Sequence, residues 1–459
     1  MTSSQVPFLS DCGILKDRKS SEKTWRKQMS VLTPERLSEL QNSITEQDRI
    51  LSAAATHEDV MKLGCDDRKA AMLHMAFNIE IEHHGITAQK QSGRCWLFSA
   101  LNGLRETAAS KMGVETFEFS ENYLAFYDKL EKANNWLQMA ADTAEEPISS
   151  RAVQYLFHGI QDGNVWDQVR GLIMKYGLVP KEVMPETWAS EHTASANQLT
   201  NRILRKKAAE LRAAKPEERE AIIQDGMKQI YRLECILFGE PVQTFDYVWR
   251  DRNNQIHEVK NLTPKSFYQT YVGTDLSEYV HVISEPTSYE PMHVCIVSHD
   301  NGTMAENNRV RLNLPYEELE ALCIAQLKAG MPVWIGLDSR AYSSREEGIF
   351  DPDCFVLSQC FGDLSMSRKD LLETGESSAV HNVLLIGVHL DQDGKPLRWK
   401  IENSWGKESG KDGIYACSEN YFRTYVFEAA VHQDFLNEEQ KADLKKEPVV
   451  LHPWELPLM

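Results

Sequence analysis

Apolar positions recur at helical spacing through the first half of the chain and at strand spacing through much of the second. Leu37, Leu40 and Ile44 predict a helix from Pro34 to about Gln47, and Met61 to Ile81 reads as mostly helical. Leu97, Ala100, Leu101 and Leu104 recur at i, i+3, i+4 and i+7, so a helix opening at Cys95 should bury one face and leave Arg105 and Glu106 in solvent. Ser92 is its expected N-cap, with Gly93 allowing a sharp turn beside it. Ser120 is placed to cap a further helix at Glu121. Asp162-Gly163-Asn164 reads as a turn before a helical Val169 to Tyr176, stopped by Gly177 and Pro180. Strand patterns follow at His293 to Val297, Val333 to Leu337, His381 to Leu390, Leu397 to Ile401 and Tyr425 to Val431. Helices first and strands later predict an α+β fold.

The 459 residues can bury a large core and suggest two or more substructures. A net charge of −18 argues against general affinity for polyanions, since nucleic-acid binding is built from Lys and Arg. The basic run of Arg202, Arg205, Lys206, Lys207, Arg212 and Lys215 is followed at once by Glu217, Glu218 and Glu220, so it reads as a solvated helix of mixed charge, and nucleic acid is not expected as a partner. The apolar runs are far shorter than the roughly 20 residues a bilayer span needs, so no membrane partner is expected. The charged first thirty residues have no apolar core of a secretory signal and read as a flexible arm. Nine widely spread cysteines without a Cys-x-x-Cys pair fit a reducing, cytoplasmic setting better than a disulfide framework or a zinc site. No metal or cofactor is expected.

Cys95 is the first candidate for chemistry. A thiol at a helix N-terminus faces unpaired backbone N–H groups and the positive end of the helix dipole, which favour the thiolate. Taken alone, a cysteine before an apolar helix is more simply a small core residue. Its neighbours decide otherwise: Gln89, Gly93, Cys95, Trp96 and Phe98 resemble the nucleophile segment of papain-like cysteine peptidases. Ser92 and Arg94 depart from the usual signature in a way that is similar to the bleomycin hydrolase and bacterial aminopeptidase C group.

A cysteine nucleophile needs a base, and His381 begins the most apolar strand of the chain. After a hairpin-like turn at Asp391-Gln392-Asp393-Gly394 comes Glu402-Asn403-Ser404-Trp405-Gly406, so two antiparallel strands would bring His381 and Asn403 together. The Asn403 amide oxygen can then fix the ring, while Trp405 shields that hydrogen bond. Gln89 can aim its amide N–H groups at the oxyanion beside the backbone N–H of Cys95. The catalytic set is therefore Cys95, His381, Asn403 and Gln89.

The resemblance covers nearly the whole chain. It implies a papain-like core whose helical half is 31–190 and whose β-rich half is 286–440, with a mainly helical insertion at 191–285 and terminal arms at 1–30 and 441–459. In that family a two-glycine turn pairs with an extended peptide; Gly163 matches it, whereas Asn164 replaces the second glycine. Where the family usually reads Thr-His-Ala-Met, this chain reads Val380-His381-Asn382-Val383. The resemblance also implies peptide substrates and a hexameric barrel with inward-facing sites. The C-terminal arm, anchored by Trp454, would lie in the cleft, and the carboxylate of Met459 would receive a substrate's free amine. This tail is shorter after its tryptophan than the family's usual ending, which leaves endopeptidase activity open. An inactive scaffold would keep the fold without the chemistry, and an acyltransferase would share the acyl-enzyme. The complete residue set weighs against the scaffold and the Asn-Ser-Trp-Gly motif against the acyltransferase.

Overall fold

The computed structural model describes residues 32–286, 294–297 and 310–452. The N-terminal arm and the end of the chain with Trp454 and Met459 lie outside the described residues. Contacts divide the chain at Leu63 into two units. In the first, the helix expected over residues 34–47 is two: Pro34–Asn42 and Glu46–Ala55. The break falls at Thr45, which forms a capping box with Asp48 and starts a new helix.

The second unit carries the site. Its early stretch is less helical than the periodicity suggests: Asp67–Ala70 is a single turn capped by Asp66, and Ile79–Glu80 is a strand. That strand pairs with Val388 and Gly387, where an added Cβ on Gly387 would lie only 2.6 Å from the carbonyl oxygen of Ile79. The Cys95 helix spans Cys95–Met112 and ends on Gly113 in the left-handed region (φ 67°). Its N-cap is Arg94, not Ser92, because the Ser92 hydroxyl is turned to the carbonyl of Gln89 at 2.6 Å and accepts from Arg94 Nε. Ser120 does cap its helix, Glu121–Asp142, accepting from the Tyr123 N–H. Helix Trp166–Tyr176 stops at Gly177 as its pattern predicts. The charged stretch forms helices Ala194–Ala213 and Pro216–Phe238, linked by the Lys207–Asp225 ion pair at 2.6 Å.

Apart from a separate two-stranded hairpin, Phe245–Arg250 with Ile256–Leu262, the described strands join in one mostly antiparallel sheet. Its centre runs Tyr279–Ile283, Val426–His432, Val333–Leu337, His381–Leu390, Pro396–Glu402 and Ile414–Ser418 in that spatial order. Val449–Leu451 pairs in parallel with Val294–Val297 at one edge. The sheet's central strands are buried on both faces, so His381–Leu390 reads as a continuous apolar run and not as an alternation. Val383 and Leu385 face a core with Trp399 and Tyr415, while Leu384 and Ile386 face the other side with Ile414. The Cys95 helix packs on this strand, and Trp334 Nε1 donates to the Trp96 carbonyl at 3.2 Å, tying the helix's first turn to the sheet. Among the described residues no helix is long and apolar enough to cross a membrane.

Candidate active site

Cys95 stands at the first position of its helix and is buried. The loop before it is locked from two sides. The Gly93 N–H donates to Asp162 Oδ2 at 2.9 Å, and the Trp96 indole donates to the Asp162 carbonyl at 2.9 Å. Arg94 is buried and forks onto Glu186 at 3.0 and 3.1 Å. Asp162 in turn pairs with Lys129; burial raises its carboxyl, yet Lys129, Thr193 and the Gly93 N–H together hold it well below the usual range.

The hairpin expected between the two late strands is present. Leu384 pairs with Glu402 and Leu385 with Ile401, around the turn at Asp391–Gly394. It brings His381 Nε2 to 2.8 Å from Asn403 Oδ1. The same oxygen accepts the Ser404 N–H at 2.8 Å, so the amide is oriented with its oxygen toward the ring and Nε2 must carry the hydrogen. Nδ1 is left as the basic nitrogen. Trp405 stacks on His381 at 4.7 Å, with Arg345 over its indole at 4.0 Å.

Gln89 is joined to the same segment. Its backbone N–H donates to the Ser404 carbonyl at 2.8 Å, and its side-chain oxygen accepts the Ser404 hydroxyl at 2.7 Å. Its NH2 donates to the Ser92 carbonyl at 2.6 Å, which leaves one N–H uncommitted by that bond. Gly163 is exposed, and a Cβ added to it would meet nothing within 4 Å. Asn164 is half-buried and donates to Asp128 at 3.1 Å.

Burial pushes the Cys95 thiol up to about 11, against the backbone N–H groups of Asn382, Trp96 and Cys95 that lower it. Burial likewise lowers His381 to about 4 against the Asn403 hydrogen bond. The structure corrects one sequence expectation here: Arg105 is buried, not solvated, and Nη2 reaches Glu402 Oε1 at 2.8 Å and Oε2 at 3.0 Å. Burial raises Glu402 to about 7 even against that guanidinium. Sequence reasoning also misses Asn382 as a neighbour of the thiol, with Oδ1 3.8 Å from Cys95 Sγ. Its sequence signals are an amide in a mostly apolar strand and the departure there from the family's usual Thr-His-Ala-Met.

A thiol at the N-terminus of a helix that packs on the strand carrying a histidine–amide pair fits one class, the papain-like cysteine peptidases. The crystal structure of PepW from Lactobacillus rhamnosis is 34% identical and superposes with a TM-score of 0.90, covering 94% of this chain and 99% of that one. Aminopeptidase C of Lactobacillus delbrueckii subsp. lactis is 37% identical over 88% of this chain and 93% of its own length. Aminopeptidase W of the same organism is 35% identical over 89% and 94%. The sequence profile of the Peptidase C1-like family matches residues 31–458, and the chain belongs to that family.

Proposed function

We propose that this chain is a cysteine aminopeptidase in which Cys95 attacks the scissile carbonyl, His381 moves the proton and Asn403 orients His381. The observation that carries the reading is the His381–Asn403 hydrogen bond at 2.8 Å, which commits one ring nitrogen and leaves the other to work as base. In the cycle the Cys95 proton passes to His381 Nδ1 and the sulfur attacks the peptide carbon. Gln89 and the Cys95 backbone N–H are suited to receive the developing oxyanion. His381 then gives the proton to the departing amine, and water hydrolyses the Cys95 thioester by the same route.

Similarity to proteins named aminopeptidase supports peptides with a free amine as substrates. Gly163 has the open backbone needed to pair with an extended peptide, with Asn164 and Trp405 as the other walls in this reading. Met459, which lies outside the described residues, would supply the carboxylate that selects the amine. Paired free-amine and N-acetylated fluorogenic peptides test the assignment, with a thiol-alkylating agent as control. Hydrolysis of the free-amine peptide alone, lost on alkylation, is expected. Deleting Leu456 to Met459 should then admit the N-acetylated peptide; an unchanged ratio would remove the tail as the selectivity element.

The family resemblance supports a hexamer with inward-facing sites and the division into a papain-like core, an insertion at 191–285 and two arms. A stable, fully active monomer in sedimentation would contradict the assembly. The seven free cysteines among the described residues support a reducing, cytoplasmic setting.

A further inference from the structure

Beside the base stands a cation that the catalytic set does not use. Arg345 lies between the short strands Ser343–Ser344 and Ile349–Phe350, which pair as a hairpin at the edge of the sheet. Its root is fixed, because the Arg345 carbonyl accepts the Gly410 N–H at 2.8 Å from the loop that follows Trp405. Its guanidinium carbon sits 4.0 Å from the centre of the Trp405 ring, and the same ring stacks on His381 at 4.7 Å. One half-buried indole thus joins an exposed arginine to the buried base. Arg340 and Lys411, cations on the neighbouring loops, are taken by Asp338 at 2.8 Å and Glu347 at 3.7 Å. Among the described residues the Arg345 guanidinium has no ion pair and no hydrogen bond, although Glu346 and Glu347 follow it in the chain.

The geometry of a peptide says what would meet this group. When the peptide bond breaks, the departing nitrogen takes its proton from the base, so in the proposed cycle that nitrogen stands against His381. The carboxyl carbon of the same residue is only about 2.5 Å further on. The acyl half is assigned above to Gly163, which leaves the Trp405 side for the half that departs. A carboxylate there comes within the sweep of an arginine rooted beside that ring. Guanidinium suits it, since a planar fork of N–H donors matches two carboxylate oxygens. A chain of net charge −18 repels anions at long range, so a local cation is needed to admit one. The Arg345 charge also reaches the base: burial lowers His381, and Arg345 acts in the same direction.

We propose that Arg345 is a specificity-determining residue that receives a carboxylate on the residue following the scissile bond. That carboxylate is either the α-carboxylate of a dipeptide or the side chain of Asp or Glu in a longer peptide. The proposal rests on the cysteine aminopeptidase reading and specifies the leaving half of its substrate.

The test compares three peptides by chromatography of the released alanine: alanyl-alanine, alanyl-alanine amide, and alanyl-aspartic acid α-amide, whose single carboxylate is on the side chain. In the parent protein kcat/KM for alanyl-alanine should exceed that for its amide by roughly fivefold, the upper end for an exposed ion pair. About 1 M salt should narrow the gap. Arg345→Gln should bring the ratio close to one, and Arg345→Lys should restore part of it. An aspartyl peptide that behaves like the free dipeptide extends the site to acidic side chains, and one that behaves like the neutral amide confines it to dipeptides. A ratio that is the same in the parent and in Arg345→Gln would overturn the proposal. So would an equal fall on all three peptides, which is the mark of a structural role. Cleavage of all three with no dependence on Arg345 leaves the peptidase reading standing, whereas a parent protein that cleaves none of them overturns both.

Discussion

Arg105 and Glu402 form a buried ion pair, 2.8 Å at its shortest, between the helix that opens with Cys95 and the strand that ends beside Asn403. Arg105 also donates to Asn102 at 3.1 Å and to Glu106, so its guanidinium is satisfied on several sides. The pair therefore couples the placement of the proposed nucleophile, Cys95, to that of Asn403, the amide proposed to orient His381.

Arg105→Ala leaves Glu402 buried without its cation. It should lower stability by roughly 3–5 kcal/mol, the range for breaking a buried pair on one side, as read by urea unfolding. A loss below about 1 kcal/mol would show that water or Glu402 protonation replaces the arginine.

Cys95→Ala should abolish peptide hydrolysis with the fold intact, since no other group in the site can supply the attacking sulfur. His381→Ala should cost roughly 10²–10⁴ in rate, the usual share of a positioned acid–base group. Asn403→Ala should be milder because that amide takes no proton and only orients the ring. Purified variants assayed on one free-amine peptide decide the order; an undiminished rate in Asn403→Ala would remove it from the set.

Gln89→Ala removes one proposed oxyanion donor and should lower kcat by roughly 10²–10³ with little change in KM. Because Gln89 also holds Ser404 through its side-chain oxygen, Gln89→Glu is the informative companion: it keeps that acceptor and loses the donor. Equal activity in Gln89→Glu and the parent protein would exclude the oxyanion role.

The pH profile of kcat/KM should be broad. His381 has its pKa lowered to about 4, so only below that value does it hold a proton before substrate arrives and lose the capacity to take one from sulfur. Cys95 is raised to about 11, so the pair loses its shared proton only near that value. Activity should therefore rise as pH increases through about 4 and fall only in strongly alkaline solution, with irreversible unfolding checked by return to neutral pH. An acid limb centred near 6.5, the ordinary histidine value, would show that burial does not control the base.

What could be read along the chain was local. The His381–Leu390 strand, the Ser120 cap, the Gly177 stop and the Cys95 helix each announce themselves through spacing within a few residues. The Cys95 segment and the Asn-Ser-Trp-Gly motif were legible for the same reason, since each is a short run of residues with one geometric task. Other elements were not legible. The hairpin Phe245–Arg250 with Ile256–Leu262, and the strands Tyr279–Ile283 and Ile414–Ser418, are short, and so few residues do not by themselves separate a strand from a loop or a helical turn.

The same limit governs the site. A guanidinium at Arg105 or an imidazole at His281 reads as a surface group until its counter-charge is known, because an ion enters the interior only when partners replace its hydration. Those partners are Glu402, 297 residues from Arg105, and Asp167 and Glu428, 114 and 147 residues from His281. Motif spacing together with the family resemblance thus pointed to the residues proposed for the chemistry. Only the folded sheet decided which buried charges face them, since hydration is lost, and opposite charges are brought together, when distant segments pack.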